Sequence, residues 1–133
     1  MMFNLAKVAV LLAATGSAFG AALSNRQSPP PLTTCTFVFV PDVPVDPTVT
    51  PVDPGFNYIL GFYLTTVSSN PSYNAGSTSV ESPDDVFTVT NSLGVYTWTA
   101  AQTATALAAL VGQTKSSIGS SIVWTIESVK CDA

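Results

Sequence analysis

The chain has 133 residues, of which 47% are apolar and 9% are charged, and its formal net charge is −4. This length fits one domain, and the apolar content excludes a disordered chain, because enough apolar surface exists to offset the entropy lost on folding. Only four basic residues are present, which argues against nucleic acid as a partner, since its phosphates require basic contacts. The absence of His excludes Ser-His-Asp triads, Cys-His dyads and His-ligated metals.

Residues 1–22 have the pattern of a secretory signal peptide. Lys7 precedes the apolar run Val8–Ala14, and small residues follow from Ser17 to Ala22, as expected of a cleavable signal. The apolar run is too short to cross a bilayer; a short anchor or a buried helix is the alternative interpretation. We therefore predict a secreted, extracellular protein that has no membrane span after cleavage of the signal.

Two cysteines stand near opposite ends of the exported part of the chain. An oxidising compartment favours a disulfide between Cys35 and Cys131, with two free thiols or an intermolecular pair as the alternatives. The bridge requires the first and last strands to lie close together. Neither cysteine has a nearby His or a strongly basic setting, so neither is a candidate nucleophile.

The first element of the domain is a strand followed by a proline-rich loop. Apolar residues alternate along Thr34–Val40, which predicts a strand. Residues 41–55 hold five prolines and include Pro-Val-Asp-Pro at 44–47 and again at 51–54. Because proline lacks an N–H and fixes φ, this segment is expected to be a stiff, extended, acidic loop.

The segment Asn57–Val67 has an ambiguous pattern. Tyr58, Leu60, Phe62 and Leu64 alternate to one side, and the aromatic and β-branched content favours a strand. Periodicity alone does not separate this strand from a short buried helix, so the helix remains the alternative.

The middle of the chain predicts a short edge strand and a hairpin. Residues 68–85 are rich in turn-forming residues, with an edge strand expected over Thr78–Glu81, because 18 structureless residues would be unusual in a small domain. Val86–Thr90 and Val95–Trp98 are predicted to pair across the loop 91–94, which contains a glycine.

A helix and a final strand complete the predicted domain. Thr99 and Gln102 fit a capping box, and the apolar stripe of the helix over 100–111 consists of Ala104, Leu107, Ala108 and Val111, with Gly112 as its stop. In Ile122–Cys131, strict alternation places Ile122, Trp124 and Ile126 on one face and Val129 and Cys131 on the other.

These elements predict an α+β fold with a small antiparallel sheet of about four to six strands and one packed helix; a β-sandwich is the alternative. Residues 23–33 form a flexible lead-in, and residues 34–133 form one globular domain.

Aromatic side chains are the most informative candidate binding residues. The chain holds two Trp and four Tyr, and aromatic rings stack on sugars or seat peptides, although alternating aromatics on strands usually belong to the core. Tyr73, in a loop rich in Gly, Ser, Asn and Pro, and Trp98 are the predicted ligand-binding residues.

The carboxylates give weaker signals. Asp84, Asp85 and Glu127 are the only candidates for a carboxylate-dependent hydrolase, and their spacing marks no acid and base. The other acidic candidates, as oxygen ligands for calcium, are Asp42, Asp46 and Asp53. Their spacing matches no EF-hand loop, so neither a metal nor a cofactor is expected.

The layout resembles that of small secreted proteins of basidiomycete fungi. The resemblance lies in the signal, in Thr34-Cys35-Thr36-Phe37, in the alanine-rich segment around Thr105–Val111 and in the terminal Ser-Val-Lys-Cys. Such proteins mostly lack a known activity, so the resemblance implies no catalytic residues. Cysteine-dense classes such as hydrophobins do not fit a chain with two cysteines.

We therefore expect a secreted, non-enzymatic protein with an extracellular interaction or effector-like role, its partner a protein or a polysaccharide. A carbohydrate-binding module with surface aromatics is one alternative, and exposed coplanar rings would favour it. A small hydrolase is the second, and two carboxyls about 5–10 Å apart in a cleft would favour it. A structural or surface-active protein is the third, and a large contiguous exposed apolar patch would favour it.

Overall fold

The computed structural model describes residues 28–133, so the predicted signal peptide and residues 23–27 of the predicted lead-in lie outside the described residues. In chain order, the helices and strands are β1 (Thr33–Pro41), α1 (Asp53–Ser68), β2 (Ser72–Asn74), β3 (Thr78–Glu81), β4 (Phe87–Val95), α2 (Ala100–Ala108), β5 (Thr114–Lys115) and β6 (Trp124–Cys131).

All six strands belong to one antiparallel sheet. Its order is β2-β4-β1-β6-β5, and β3 also pairs with β4. Because β2 and β3 pair with different parts of β4, they share one edge of the sheet. The small α+β class and the number of strands are as predicted. Residues 28–133 contain two helices where one was expected, and their strands form one sheet instead of a β-sandwich.

The central strand β1 carries the core. Cys35, Phe37 and Phe39 are fully buried, as the alternation of the sequence predicts. The neighbouring strand β6 contains a β-bulge at Glu127, because Val38 pairs with Ser128 whereas Phe39 pairs with Ile126.

Because of the bulge, the predicted division of the last strand into two faces is wrong. An extra residue reverses the alternation of side chains from that point onwards. Trp124 and Ile126 are therefore buried before the bulge, and Val129 and Cys131 pack against the same core after it.

The segment predicted as a strand over 57–67 is part of helix α1, which has a proline in its first turn. Its buried residues follow a helical period: Phe56, Ile59, Leu60, Tyr63 and Leu64. The prediction was wrong because Leu60 and Leu64 satisfy both periods. Tyr58 and Phe62, which the strand would have buried, are 36% and 58% exposed.

The predicted hairpin is instead one continuous strand, β4. Its turn-like residues serve tertiary contacts. Asn91 is 2% exposed, and its Nδ2 donates hydrogen bonds to Asn74 Oδ1 and Ser77 Oγ. A Cβ on Gly94 would lie 2.6 Å from the carbonyl oxygen of Pro31, so the glycine permits close packing of the incoming chain and does not mark a turn.

Helix α2 ends earlier than predicted. It stops at Ala108, and tighter turns follow, in which Leu110 N–H bonds to Leu107 and Val111 N–H to Ala108. The tightening rotates the face, so that Leu110 is buried while Ala108 and Val111 are exposed. Gly112 adopts φ +88° at the end of these turns, four residues beyond the helix that it was predicted to end.

The two Pro-Val-Asp-Pro copies both anchor the loop between β1 and α1. Val45 and Val52, the valines of the two copies, are each 8% exposed and belong to the core. Asp46 closes a turn by accepting hydrogen bonds from Thr48 N and Oγ1. Asp53 instead begins α1, so the predicted loop ends at Val52.

Candidate functional site

An exposed aromatic pair stands on the outer side of α1. Tyr58 and Phe62 are one helical turn apart, their ring centroids lie 5.5 Å apart, and their planes meet at 11°. The two rings are thus stacked on each other and are not coplanar, but both are exposed to solvent, and they lie next to two clefts.

The first cleft separates α1 from the segment that leads into β6. Its volume is about 280 Å³, and its lining consists of Thr50, Pro51, Val52, Pro54, Gly55, Tyr58, Ser117, Ile118, Ser120, Ile122 and Trp124. Gly55 lets the two walls approach, because a Cβ there would lie 3.2 Å from Ser117 Oγ. Ile118 is 77% exposed on the rim.

The second cleft lies farther along α1. Its volume is about 160 Å³, and its lining consists of Tyr58, Ile59, Phe62, Tyr63, Lys115 and Ser116. Lys115 Nζ lies 5.2 Å from the centroid of the Tyr63 ring. The hydroxyl of Tyr63 donates to the Ala106 carbonyl at 2.8 Å, which ties α1 to α2. Since Tyr58 lines both clefts, we call the two together the α1 groove.

The residues predicted to bind a ligand lie elsewhere. Tyr73 is half-buried on β2, and Trp98 is half-buried and packs against the core. Trp98 lines another cleft, of about 450 Å³, with four residues of α2. The structure brings neither residue into the α1 groove. A helical interpretation of 57–67 would have revealed Tyr58 and Phe62 as an exposed pair.

The hydrolase candidates are spread over two regions. Asp84 and Asp85 lie in the turn between β3 and β4, and Glu127 lies at the bulge of β6. None of them lines either cleft of the α1 groove.

The calcium candidates take part in local hydrogen bonds. Asp42 accepts from Val123 N at 3.0 Å, and Asp53 accepts from the hydroxyl of Ser79. Asp46 is occupied by Thr48. Residues 28–133 contain no group of three or more His, Cys, Asp or Glu that could hold a metal ion.

Glu81→Gln should stabilise the protein at neutral pH. The pKa of Glu81 is raised, first by a hydrogen bond with Asp85. Partial removal of water from the carboxylate and the negative charges of Asp85 and Asp46 raise it further. The folded state thus favours the proton, so the contribution of Glu81 to stability is present below its unfolded pKa and is lost as pH rises through the raised pKa. The neutral amide removes that loss. Thermal melts should show a higher Tm for the variant at pH 7 and no gain at pH 3.

Glu127→Gln is the matched control, since it removes the same charge at the bulge of β6. An equal gain in Tm from this control would contradict the assignment to the cluster around Glu81 and would indicate an effect of net charge.

No family model, curated protein or solved structure matches the chain. Within residues 28–133, neither helix is long and apolar enough to cross a membrane.

Proposed function

We propose that the protein is secreted, has no enzymatic activity, and acts by binding an extracellular ligand in the α1 groove. The exposed, nearly parallel pair of Tyr58 and Phe62 carries the proposal. Rings of this size usually contribute to a core or an interface, and these two lie outside the core on a helix that already buries five other side chains. The signal-like N-terminus and the bridge between Cys35 and Cys131 support an extracellular setting.

A carbohydrate is the ligand class that fits the groove best. The C–H faces of a sugar pack on aromatic rings, and its hydroxyls need polar partners at the edges of those rings. The groove offers both, because Tyr58 and Phe62 are flanked by the hydroxyl-bearing side chains of Ser116, Ser117 and Ser120. From Pro54 to Phe62 the helix rises about 12 Å, which is long enough for a short run of sugar rings.

Binding to insoluble polysaccharides tests this function directly. Mature protein is mixed with chitin, cellulose, β-glucan and cross-linked polygalacturonate, and the bound fraction is measured by sedimentation. Tryptophan fluorescence is read in parallel, since Trp124 lines the groove. We expect saturable binding to at least one polymer. The double variant Tyr58→Ala/Phe62→Ala should raise the dissociation constant at least about tenfold, which corresponds to about 1.4 kcal/mol of binding free energy.

Tyr73→Ala is the control, because it removes one of the aromatic rings that lie outside the groove and should leave binding unchanged. If the protein binds none of the four polymers saturably, the proposed function is overturned. Equal binding by the double variant and the unmodified protein would overturn the assignment to the α1 groove.

A further inference from the structure

The charges of the described residues are distributed unevenly around the α1 groove. Residues 28–133 hold all eight carboxylate side chains of the chain but only two of its four basic residues, Lys115 and Lys130. No Asp or Glu lines either cleft of the groove, whereas Lys115 does. The carboxylate of Asp53, between the lining residues Val52 and Pro54, is engaged by Ser79 of β3. The lining of the groove therefore carries one positive charge, on Lys115, and no negative charge, although the protein as a whole is acidic.

Lys115 is held in place by the sheet and by an aromatic ring. It lies on β5, where it pairs with Trp124 of β6, and it is half-buried. Its ammonium lies over the Tyr63 ring, and an ammonium has three N–H donors. The ring face accepts the cation without providing a hydrogen-bond acceptor of carboxylate strength. Lys115 thus retains donors for an anionic group at the end of the groove that Phe62 lines.

We infer that the ligand of the α1 groove is an acidic polysaccharide, with a sugar carboxylate on Lys115 and the sugar rings against Tyr58 and Phe62. This inference rests on the proposed function and names the class of its substrate. The net negative charge of the protein repels a polyanion at long range, but Lys115 attracts a sugar carboxylate locally, where the lining holds no Asp or Glu. A neutral polymer would make no use of the one charge in the groove.

The esterification of one polymer isolates the charge from the rest of the ligand. Polygalacturonate and its methyl ester share a backbone and differ in the carboxylate, so their binding is compared by affinity electrophoresis at 50 mM and 500 mM NaCl. We expect the free acid to bind at least tenfold more tightly at low salt. This preference should shrink at high salt, because exposed charges are then screened.

Substitutions at the two lysines locate the interaction. Lys115→Met keeps an unbranched side chain and removes the charge, and it should abolish the preference for the free acid. Lys115→Arg should retain the preference. Lys130→Met, which removes the other described cation, should also leave it unchanged. These variants alter exposed or half-buried residues, and circular dichroism confirms that each one is folded.

The outcomes separate the inference from the function on which it rests. Equal binding to the acid and the ester, weakened by Tyr58→Ala/Phe62→Ala, would overturn the acidic ligand and leave the proposed function standing. A preference that survives in Lys115→Met or disappears in Lys130→Met would overturn the role of Lys115. Absence of binding to every polysaccharide would overturn both proposals.

Discussion

Removal of the disulfide by Cys35→Ala/Cys131→Ala should lower the free energy of unfolding by about 4–5 kcal/mol. The bridge spans 96 residues, and in the chain-entropy model a loop of about 100 residues contributes about 4.7 kcal/mol. A small domain has a total stability of roughly 5–15 kcal/mol, so this loss is a large fraction of the whole. Urea unfolding at pH 7, followed by tryptophan fluorescence and circular dichroism, measures it.

The native sheet is expected to survive the loss of the bridge. Cys35 and Cys131 face each other at the end of the β1–β6 ladder, with Cα atoms 4.0 Å apart. The two strands stay paired without the bridge, from Thr36 opposite Lys130 to Pro41 opposite Trp124. Beyond the bridge, Asp132 Oδ1 accepts hydrogen bonds from Thr34 N and Thr33 Oγ1.

These hydrogen bonds lower the pKa of Asp132, so their contribution to stability is present at pH 7 and is lost only as pH falls through the lowered pKa.

Chemical reduction of the unmodified protein is the control for the disulfide and should lower the free energy of unfolding as much as the double variant does. A loss below about 1 kcal/mol would show that the bridge constrains the unfolded chain far less than its length implies.

Elements whose signals are local could be predicted from the sequence. Helix α2 begins as expected, because its capping box joins residues only three positions apart: Thr99 Oγ1 accepts from Gln102 N at 3.1 Å, and Gln102 Oε1 accepts from Thr99 N at 2.7 Å. Strand β1 could also be predicted, because buried residues occur at every second position from Thr33 to Phe39. The edge strand β3 has the predicted bounds, Thr78–Glu81.

Elements decided by distant contacts could not be predicted in this way. Asn91 and Gly94 resemble turn residues by type, yet the first is used by a buried polar cluster and the second by the approach of Pro31. The bulge at Glu127 depends on pairing with β1, and nothing within β6 itself encodes it. In each case, the local conformation depends on a contact with residues that are distant in the sequence.

The α1 groove was not predicted because the pattern of 57–67 fits both a strand and a helix. With 57–67 taken as a strand, Tyr58 and Phe62 belong to the core, and Tyr73 and Trp98 remain as the aromatics available for a ligand. Once α1 is a helix, its solvent-facing side carries the aromatic pair. The strand predicted for 57–67 thus directed attention to Tyr73 and Trp98, which lie outside the α1 groove.

Phe56→Ala should lower the free energy of unfolding by about 3–5 kcal/mol, the usual range for truncation of a buried phenylalanine. Its side chain is fully buried, and its ring centroid lies 4.7 Å from that of Phe39, 4.8 Å from that of Trp124 and 6.1 Å from that of Phe87. The substitution removes all three aromatic contacts and leaves a cavity beneath α1. Urea unfolding measures the loss, and the emission of native Trp124 should change as well.

Phe62→Ala is the matched control, because it makes the same substitution on the same helix at a ring that is 58% exposed. We expect it to change stability by no more than about 0.5 kcal/mol. The pair also tests the element itself. In a strand, positions 56 and 62 share a face, so the two alanine substitutions should lower the free energy of unfolding by similar amounts. On a helix, six residues place the two side chains about 120° apart, so one can be buried while the other is exposed. Comparable losses from the two variants would contradict α1 as a helix and, with it, the α1 groove.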